Sequence, residues 1–343
     1  AMAASAFAAD VSAGTKIGGQ VFAFGKDGQY GFSDGKISLF SQTNDSHDYA
    51  NPNFAFNIAD DKAGASIKIT TDGNTSPALT SQTIWFKPFD MLKVTVGGYD
   101  VALNKETIDW TESITGLGGE GFLLSFDFSG FALDIGFNNG DGWDSYFFTT
   151  KDGNSAMKNL FVKGAYNADF GSIGAFVNLN HAKPQSWETT GKFYKYEGAA
   201  GVIQDVSFGA GYKGSFGPVN AFINVIGDLY DGSFKWVRPE IFVNGGVDAF
   251  GFALFVAPGI YMDKTPVNCE VIAKLTYGLD GLTPYFYFKA GDILASPLGM
   301  TFKLGATGAV GLMGWDVCAQ IETAQGDGTK VAVSVPFALS VSF

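Results

Sequence analysis

The sequence predicts an all-β chain that folds as a single transmembrane antiparallel β-barrel of about 18 strands, within a range of roughly 16 to 20. Three observations predict this fold. Apolar residues alternate with small or polar ones along most of the 343 residues, and a period of two is typical of strands with two different faces. Aromatic residues reach 15% while charged residues are only 16%. Short turns alternate with longer polar loops, as in barrels that cross the outer membrane.

The alternation is clearest on either side of a two-residue turn at 129–130. From Phe131 to Asn138 every odd position is large and apolar and every even position is small or polar. The segment before the turn has the same pattern, and Ser-Gly is suitable for a tight hairpin. No segment holds a 3.6-residue period over three turns, and no apolar stretch is long enough for a spanning helix.

A soluble β-sandwich would alternate in the same way, and two details favour the barrel. The less apolar face is rich in Gly, Ser, Thr and Asn and carries charges of both signs, which suits a water-filled lumen. The chain also holds 33 Phe, 13 Tyr and 6 Trp. A lipid-facing band with aromatic girdles explains so many large apolar residues more simply than a sandwich core does.

The turns set the predicted topology. Short turns occur at 88–90, 129–130, 169–171, 215–217, 249–251 and 279–281, and longer polar loops occur at 101–120, 139–157 and 183–198. Placing the short turns in the periplasm gives about nine hairpins from residue 29 onward. Segment 14–25 is a further strand-like piece that breaks the even count, and one interpretation is a bent extension of the first strand.

The two ends of the sequence carry signals of export and assembly. Ala6-Phe7-Ala8 has the small-x-small form of a signal-peptidase site, so we expect residues 1–8 to be a residual signal-peptide tail and 9–343 to form the barrel. At the other end, the odd positions from Val331 to Phe343 are all apolar. Pro336 departs from an ideal ladder strand because it has no N–H to donate.

This final segment resembles the terminal strand of bacterial outer-membrane β-barrels, and the whole pattern is similar to the porin-like family of Gram-negative or spirochaete-type envelopes. The resemblance implies a location in the bacterial outer membrane, in contact with its lipid, and recognition of Phe343 by the barrel-assembly machinery. It also implies passive diffusion of small hydrophilic solutes and ions, and it leaves a homotrimer open. An 18-stranded barrel would favour a substrate-selective channel, whereas 16 strands would favour general diffusion.

Charge and composition exclude several other functions. The net charge of −12 and a pI near 4.5 argue against nucleic acid as a partner. The chain has only two histidines, His47 and His181. The matches to a dinucleotide-binding loop at 116–121 and to a nucleophile elbow at 31–35 are followed by strands, whereas both motifs require a helix. We therefore expect no enzyme and no cofactor.

The sequence also gives little indication of a metal site or a disulfide. Loops at 44–48 and 141–145 have oxygen side chains that could bind Ca²⁺, but such loops are common on surfaces, and we expect no metal site. Cys269 and Cys318 fall on opposite faces of their strands, so they are not expected to form a disulfide.

We therefore expect the functional residues to line the lumen. Strand phase points thirteen polar residues inward, where rings of charge would set ion preference. These pore-lining candidates are Lys93, Asp127, Asp134, Lys163, Asn178, Lys213, Asn220, Arg238, Glu240, Glu270, Lys274, Lys303 and Asp316. The resemblance to porins implies a ladder of arginines opposite an acidic loop, but Arg238 is the sole arginine, so any such ladder must consist of lysines.

Loop 101–120 is the candidate constriction. Counted from residue 29 it is the third external loop, the one that enters the lumen in 16-stranded porins. Its candidate residues are Glu106, Asp109, Trp110, Glu112 and Glu120. Carboxylates in a narrow lumen would concentrate cations, so we expect a mild cation preference. A surface position for this loop remains open, and so does an aromatic sugar platform in loop 183–198.

One alternative function stays open at this point. The chain could be a structural or adhesive surface barrel with a plugged lumen, whose external loops bind host or matrix. Conductance in a planar bilayer separates this alternative from a channel.

Overall fold

The computed structural model describes residues 8–27, 31–42, 50–70, 78–104, 107–108, 111–112, 116–138, 160–179, 185–187, 193–195, 205–230, 232–262, 267–323 and 330–342. No helix in these ranges is long and apolar enough to cross a membrane. The strands are β1 (Ala8–Asp27), β2 (Gly31–Gln42), β3 (Ala50–Ala59), β4 (Ala63–Thr70), β5 (Ala78–Phe89), β6 (Leu92–Ala102), β7 (Thr107–Ile108), β8 (Thr111–Glu112), β9 (Gly116–Phe128), β10 (Phe131–Asn138), β11 (Leu160–Ala168), β12 (Gly171–Leu179), β13 (Gln185–Trp187), β14 (Phe193–Lys195), β15 (Asp205–Phe216), β16 (Val219–Tyr230), β17 (Ser233–Val247), β18 (Phe250–Tyr261), β19 (Val267–Tyr277), β20 (Leu282–Ala290), β21 (Met300–Val310), β22 (Met313–Thr323) and β23 (Val331–Ser342).

Nineteen of these strands form one antiparallel sheet. Neighbours in the sheet are mostly neighbours in the chain, joined as hairpins. The longest-range exception is the pairing of β23 with β1, which runs from Gly14↔Ser342 to Phe24↔Val333 and returns the sheet to the strand where it began. Four short strands lie outside the sheet as two hairpins, β7–β8 and β13–β14. The predicted all-β antiparallel barrel is confirmed.

The first three strands explain the strand count. β2 pairs with the second half of β1, up to Asp27↔Gly31, and β3 pairs with the first half, from Ala8↔Ala59. Because β23 occupies the other edge of β1, β2 and β3 share one position, and nineteen strands therefore fill eighteen positions. Segment 14–25 is not a bent extension of the first strand counted from residue 29, as one interpretation held, because that strand, β2, is separate from it. It is the middle of β1, a strand of 20 residues, and β1 itself makes the count even.

The two ends of the barrel differ in their connections. One end of the barrel, here called the short-turn end, carries short turns at 60–62, 90–91, 129–130, 169–170, 217–218, 248–249, 278–281 and 311–312. Each of the six predicted turns coincides with one of these or lies next to it. The three predicted long loops leave the sheet at the opposite end, here called the loop end.

The two faces of the sheet have opposite character. Outward positions are apolar and exposed, such as Ile84, Leu304 and Leu339, while the residues between them point inward and are often buried. A continuous apolar exterior of this kind is unfavourable in water and is typical of a barrel surrounded by lipid.

The proline in the last strand coincides with an irregularity in its partner. Pro336 lies opposite Gln20, and the β1–β23 register shifts between Gln20 and Phe22, which leaves Val21 as the extra residue. Because proline cannot donate to the ladder, a bulge at this point allows the seam to close around it.

Substituting Gly97 tests the close backbone approach between β5 and β6. Its φ is 104°, and a Cβ there would lie 2.2 Å from the carbonyl oxygen of Gln82. Gly97→Ala should therefore lower the unfolding free energy by about 2 kcal/mol or more, as measured by urea titration in lipid vesicles. Gly311 also has a positive φ, of 60°, but open space around it. Gly311→Ala should cost clearly less, and equal losses would show that the clash at Gly97 is relieved.

Candidate functional site

The inner face of the barrel carries every predicted lining residue. Cross-strand pairs share a face, and outward residues such as Ile223 and Val225 are well exposed while Asn224 between them is buried. By this register, all thirteen candidates point inward. They are Lys93, Asp127, Asp134, Lys163, Asn178, Lys213, Asn220, Arg238, Glu240, Glu270, Lys274, Lys303 and Asp316.

Several polar residues on the inner face were not among the candidates, and three of them are Asn224, Glu322 and Lys289. Asn224 has the same strand phase as the candidate Asn220, and Glu322 has the same phase as Asp316. Lys289 alternates with the outward Phe288 and pairs with the inward Ile272. The strand phase that identified the candidates would also have identified these three residues.

The only arginine belongs to a buried charge cluster. Arg238 is 1% exposed and Glu240 is 0% exposed, so neither can touch a passing solute, although both face inward as predicted. The Arg238 Nη2 donates to Glu270 Oε2 at 3.0 Å, and its Nε lies 3.4 Å from Glu240 Oε1. Lys289 Nζ lies 3.8 Å from the other oxygen of Glu270. Two positive and two negative charges thus balance within the cluster.

The cluster lies beside a break in the backbone ladder. β17 and β18 pair at Val237↔Ile260 and again at Ile241↔Val256, and by that register Pro239 and Pro258 face each other between them. Neither proline can donate a hydrogen bond, so the ladder is interrupted where Arg238 and Glu240 project inward.

Aromatic side chains line the inner wall next to this cluster. Phe222 and Phe242 stack with ring centroids 5.0 Å apart, and both belong to a buried cluster with Phe255 and Ile272. This wall is therefore partly a packed core, which is unusual for the inner face of a wide water-filled barrel.

Lysines and carboxylates lie around these rings. Lys274 Nζ lies 5.0 Å from the ring centroid of Tyr285, and Lys303 Nζ lies 5.2 Å from that of Tyr287. The Tyr285 hydroxyl donates to Asp316 Oδ1 at 2.8 Å. Lys163 and Asp134 form a separate pair at 3.5 Å, and Lys93 Nζ lies 4.7 Å from the Trp85 ring.

Residues 103–115, between β6 and β9, are here called the crossing segment, and its described part at 103–104 and 107–108 lies in the lumen. β6 occupies the fifth of the eighteen positions, whereas β18 and β19, against which β7 lies, occupy the thirteenth and fourteenth. Ile108 in β7 is 3% exposed and is part of the buried cluster that contains Phe222 and Ile272. The described part of the segment around Ile108 thus lies against the opposite wall and not outside the barrel as a surface cap.

The predicted constriction residues are only partly described. Glu106, Asp109 and Trp110 lie outside the described residues. Glu112 belongs to β8, in the hairpin that crosses the lumen. Glu120 was predicted in the loop, but it lies within β9 and pairs with Gly98. The reason is that β6 and β9 both extend into the range 101–120 that was predicted as a loop.

The remaining loop predictions and both cysteines can be placed briefly. In loop 183–198 only the short hairpin β13–β14 is described, and the two candidate calcium loops lie outside the described residues. Cys269 and Cys318 are both buried and are not joined in a disulfide. Cys269 pairs with Pro258 on the outward face, whereas Cys318 points inward, as their strand phases predicted.

Comparisons with known proteins agree with this architecture. No protein-family model and no curated protein sequence matches the chain. OpdQ of Pseudomonas aeruginosa superposes with a TM-score of 0.55 at 10% identity, over 98% of this chain and 97% of that one. OccAB4 of Acinetobacter baumannii gives 0.56 at 9% identity, over 97% and 98% of the two chains. Pseudomonas aeruginosa OpdK, in a structure described with vanillate, gives 0.55 at 8% identity, over 98% of each.

At these identities the likeness shows the fold. OpdK is described as an outer membrane protein, and the chain has the fold of a porin-like outer-membrane β-barrel. The predicted resemblance to porin-like β-barrels is confirmed as a fold, and the apolar exterior agrees with the predicted outer-membrane location.

Proposed function

We propose that this protein is a porin-like channel through which small hydrophilic solutes and ions diffuse passively across the outer membrane. The observation that carries the proposal is a set of inward-facing charged side chains that are only half-buried, such as Lys93, Lys274, Lys303 and Asp316. Partly exposed charges on the inner face indicate that water reaches them, whereas the fully buried charges of Arg238 and Glu240 are balanced by ion pairing. A water-filled passage beside the crossing segment supplies that water. OpdK, a barrel of the same fold, is described with vanillate, which supports passage of a small organic solute.

The proposed mild cation preference depends on the crossing segment. Its sequence holds Glu106, Asp109 and Glu112 against one Lys105, and carboxylates near a constriction raise the local cation concentration. The half-buried wall lysines oppose this field. Because the sole arginine is buried, the wall presents lysines to the passage, which act as point charges without a planar fork.

Neutralising the three acids together tests this preference. Glu106→Gln, Asp109→Asn and Glu112→Gln in one chain should shift the reversal potential in a salt gradient towards that of an anion channel, with the cation-to-anion permeability ratio falling roughly twofold or more. Asp61→Asn, in an exposed short turn, is the matched control and should leave the ratio unchanged. An unaltered reversal potential in the triple variant would count against a constriction role.

Two predicted partners belong to the same proposal. The barrel-assembly machinery would recognise the end of β23, whose terminal Phe343 lies outside the described residues, and a homotrimer would be the assembled state. Chemical crosslinking in the membrane tests the second, since a ladder that ends at three copies supports it and monomers alone contradict it.

One observation favours the alternative of a plugged surface barrel. Gln20, Ala23 and Ser334 point into the lumen from β1 and β23 and are nevertheless almost fully covered. If the lumen is blocked throughout, folded protein in a planar bilayer should give no conductance. Steady ion-permeable steps support the channel instead.

The proposal remains non-enzymatic. A rim catalytic site would depend on the two histidines, His47 and His181. Because passive diffusion needs no catalytic imidazole, replacing both should leave conductance unchanged.

A further inference from the structure

A chain of polar contacts connects the crossing segment to the buried arginine. Asn104, at the start of the crossing segment, donates from Nδ2 to Asn224 Oδ1 on β16 at 2.9 Å. Asn224 donates in return from Nδ2 to the backbone carbonyl of Asn104 at 3.3 Å. The same nitrogen donates to Glu240 Oε2 at 3.2 Å. Glu240 and Arg238 then lead to Glu270 and Lys289.

The Asn104–Asn224 contact is specific in geometry. A carboxamide offers two N–H donors and one acceptor oxygen, and Asn224 uses one N–H and its oxygen on the crossing segment and the other N–H on Glu240. Glu240 can only accept when ionised, so it fixes which end of the amide faces the segment. Asn224 and Glu240 are both fully buried, where an unmade hydrogen bond is costly.

The neighbouring strand β15 leaves room for this contact. Gly211 on β15 is the cross-strand partner of Asn224. A Cβ at Gly211 would lie 2.2 Å from Asn224 Oδ1 and 2.8 Å from Asn104 Nδ2. Any larger residue would therefore push the two amides apart without removing a hydrogen-bonding group.

We infer that Asn224, with Gly211 making room and Glu240 and Arg238 behind it, is a clamp that fixes the crossing segment to the opposite wall. In this role Arg238 and Glu240 are positioning residues for the constriction and do not select ions directly. The clamp is a property of the fold. Only its effect on conduction depends on the proposed function.

Thiol protection of the crossing segment tests the clamp without relying on conductance. Ile108→Cys is introduced into a chain with Cys269→Ala and Cys318→Ala, and reaction with a water-soluble maleimide is timed on the folded barrel in detergent. The buried thiol should react slowly. Adding Asn224→Ala, which removes both bonds to Asn104, should speed labelling about tenfold or more, and Gly211→Ala should also speed it.

The controls separate the clamp from general loosening. Asn178 is a buried inward asparagine on β12 whose Oδ1 accepts no hydrogen bond from the described part of the chain, and Asn178→Ala should leave labelling slow. Gly164 on β11 meets only ordinary contacts at an added Cβ, so Gly164→Ala should also have little effect. Heat-modifiable migration on gels reports that each variant is folded.

The outcomes are distinct for the clamp and for the channel. Labelling that stays as slow in folded Gly211→Ala and Asn224→Ala as in the parent would overturn the clamp, even if conductance is present. If Asn224→Ala does not fold, Gly211→Ala alone decides the result in the same way. Faster labelling in a barrel that never conducts would support the clamp and contradict the proposed channel.

Discussion

Replacing Arg238 with methionine is expected to lower the unfolding free energy by about 3–5 kcal/mol, because it leaves a buried carboxylate without its counter-charge. Glu240 is 0% exposed and would retain its hydrogen bond from Asn224 but lose the guanidinium 3.4 Å away. Glu270 would still have Lys289 nearby at 3.8 Å. The loss of the Arg238 charge therefore acts mainly on Glu240. Urea or guanidinium unfolding in lipid vesicles measures the loss.

Two comparisons test whether the loss comes from the buried charge. Lys163→Met breaks the pair with Asp134, whose side chains are 14% and 17% exposed. Because water reaches both groups, it should cost only about 1 kcal/mol or less. Replacing Arg238, Glu240 and Glu270 together with Met, Leu and Leu should recover most of the stability, since no buried charge remains. A triple variant as unstable as Arg238→Met would assign the loss to packing.

Phe222→Ala should destabilise the barrel by about 3–5 kcal/mol, through the cavity it leaves in the inner wall. Phe222 is 1% exposed and stacks on Phe242 in the cluster that also contains Ile108. In a lumen filled with water, an inward phenylalanine would be hydrated and its loss nearly neutral. The large expected effect thus follows from packing against the crossing segment.

The adjacent outward residue is the matched control. Ile223 is 50% exposed on the outer face, where lipid chains can fill the space that a smaller side chain leaves. Ile223→Ala should therefore cost less than half as much as Phe222→Ala when both are unfolded under the same conditions. Equal or reversed losses would show that the inner cluster is hydrated.

Much of the wall was predictable from sequence, because in a strand the face of every residue follows from its position along the chain. Asp134 and Lys163 were placed on the same face by phase alone, and the structure pairs them. The same rule would have identified Asn224. The sequence did not predict that β2 and β3 lie end to end along β1. Each of the two strands keeps its own alternation of residues, and that alternation does not show that they share one position in the sheet.

Burial inside the lumen was beyond sequence reasoning. Phase showed that Arg238 faces inward, but its near-zero exposure depends on contacts of β16, β17 and β19 with the crossing segment, whose Asn104 lies 120 residues before Asn224. The bounds of the crossing segment depended on how far β6 and β9 stay paired. That extent is set by partners in space, and for this reason Glu120 proved to be a strand residue.

The pairing of β1 with β23 determines how the connections between strands could be rearranged without changing the barrel. Every other neighbour pair in the wall is local or nearly local in the chain, so the entropic cost of closing a very long loop arises once, at the register Gly14↔Ser342. Residues near the two chain ends thus lie side by side in the wall. A circular permutant, with these two strands joined by a short linker and new ends opened at another connection, would preserve every pairing in the ring while turning its one long-range step into a hairpin.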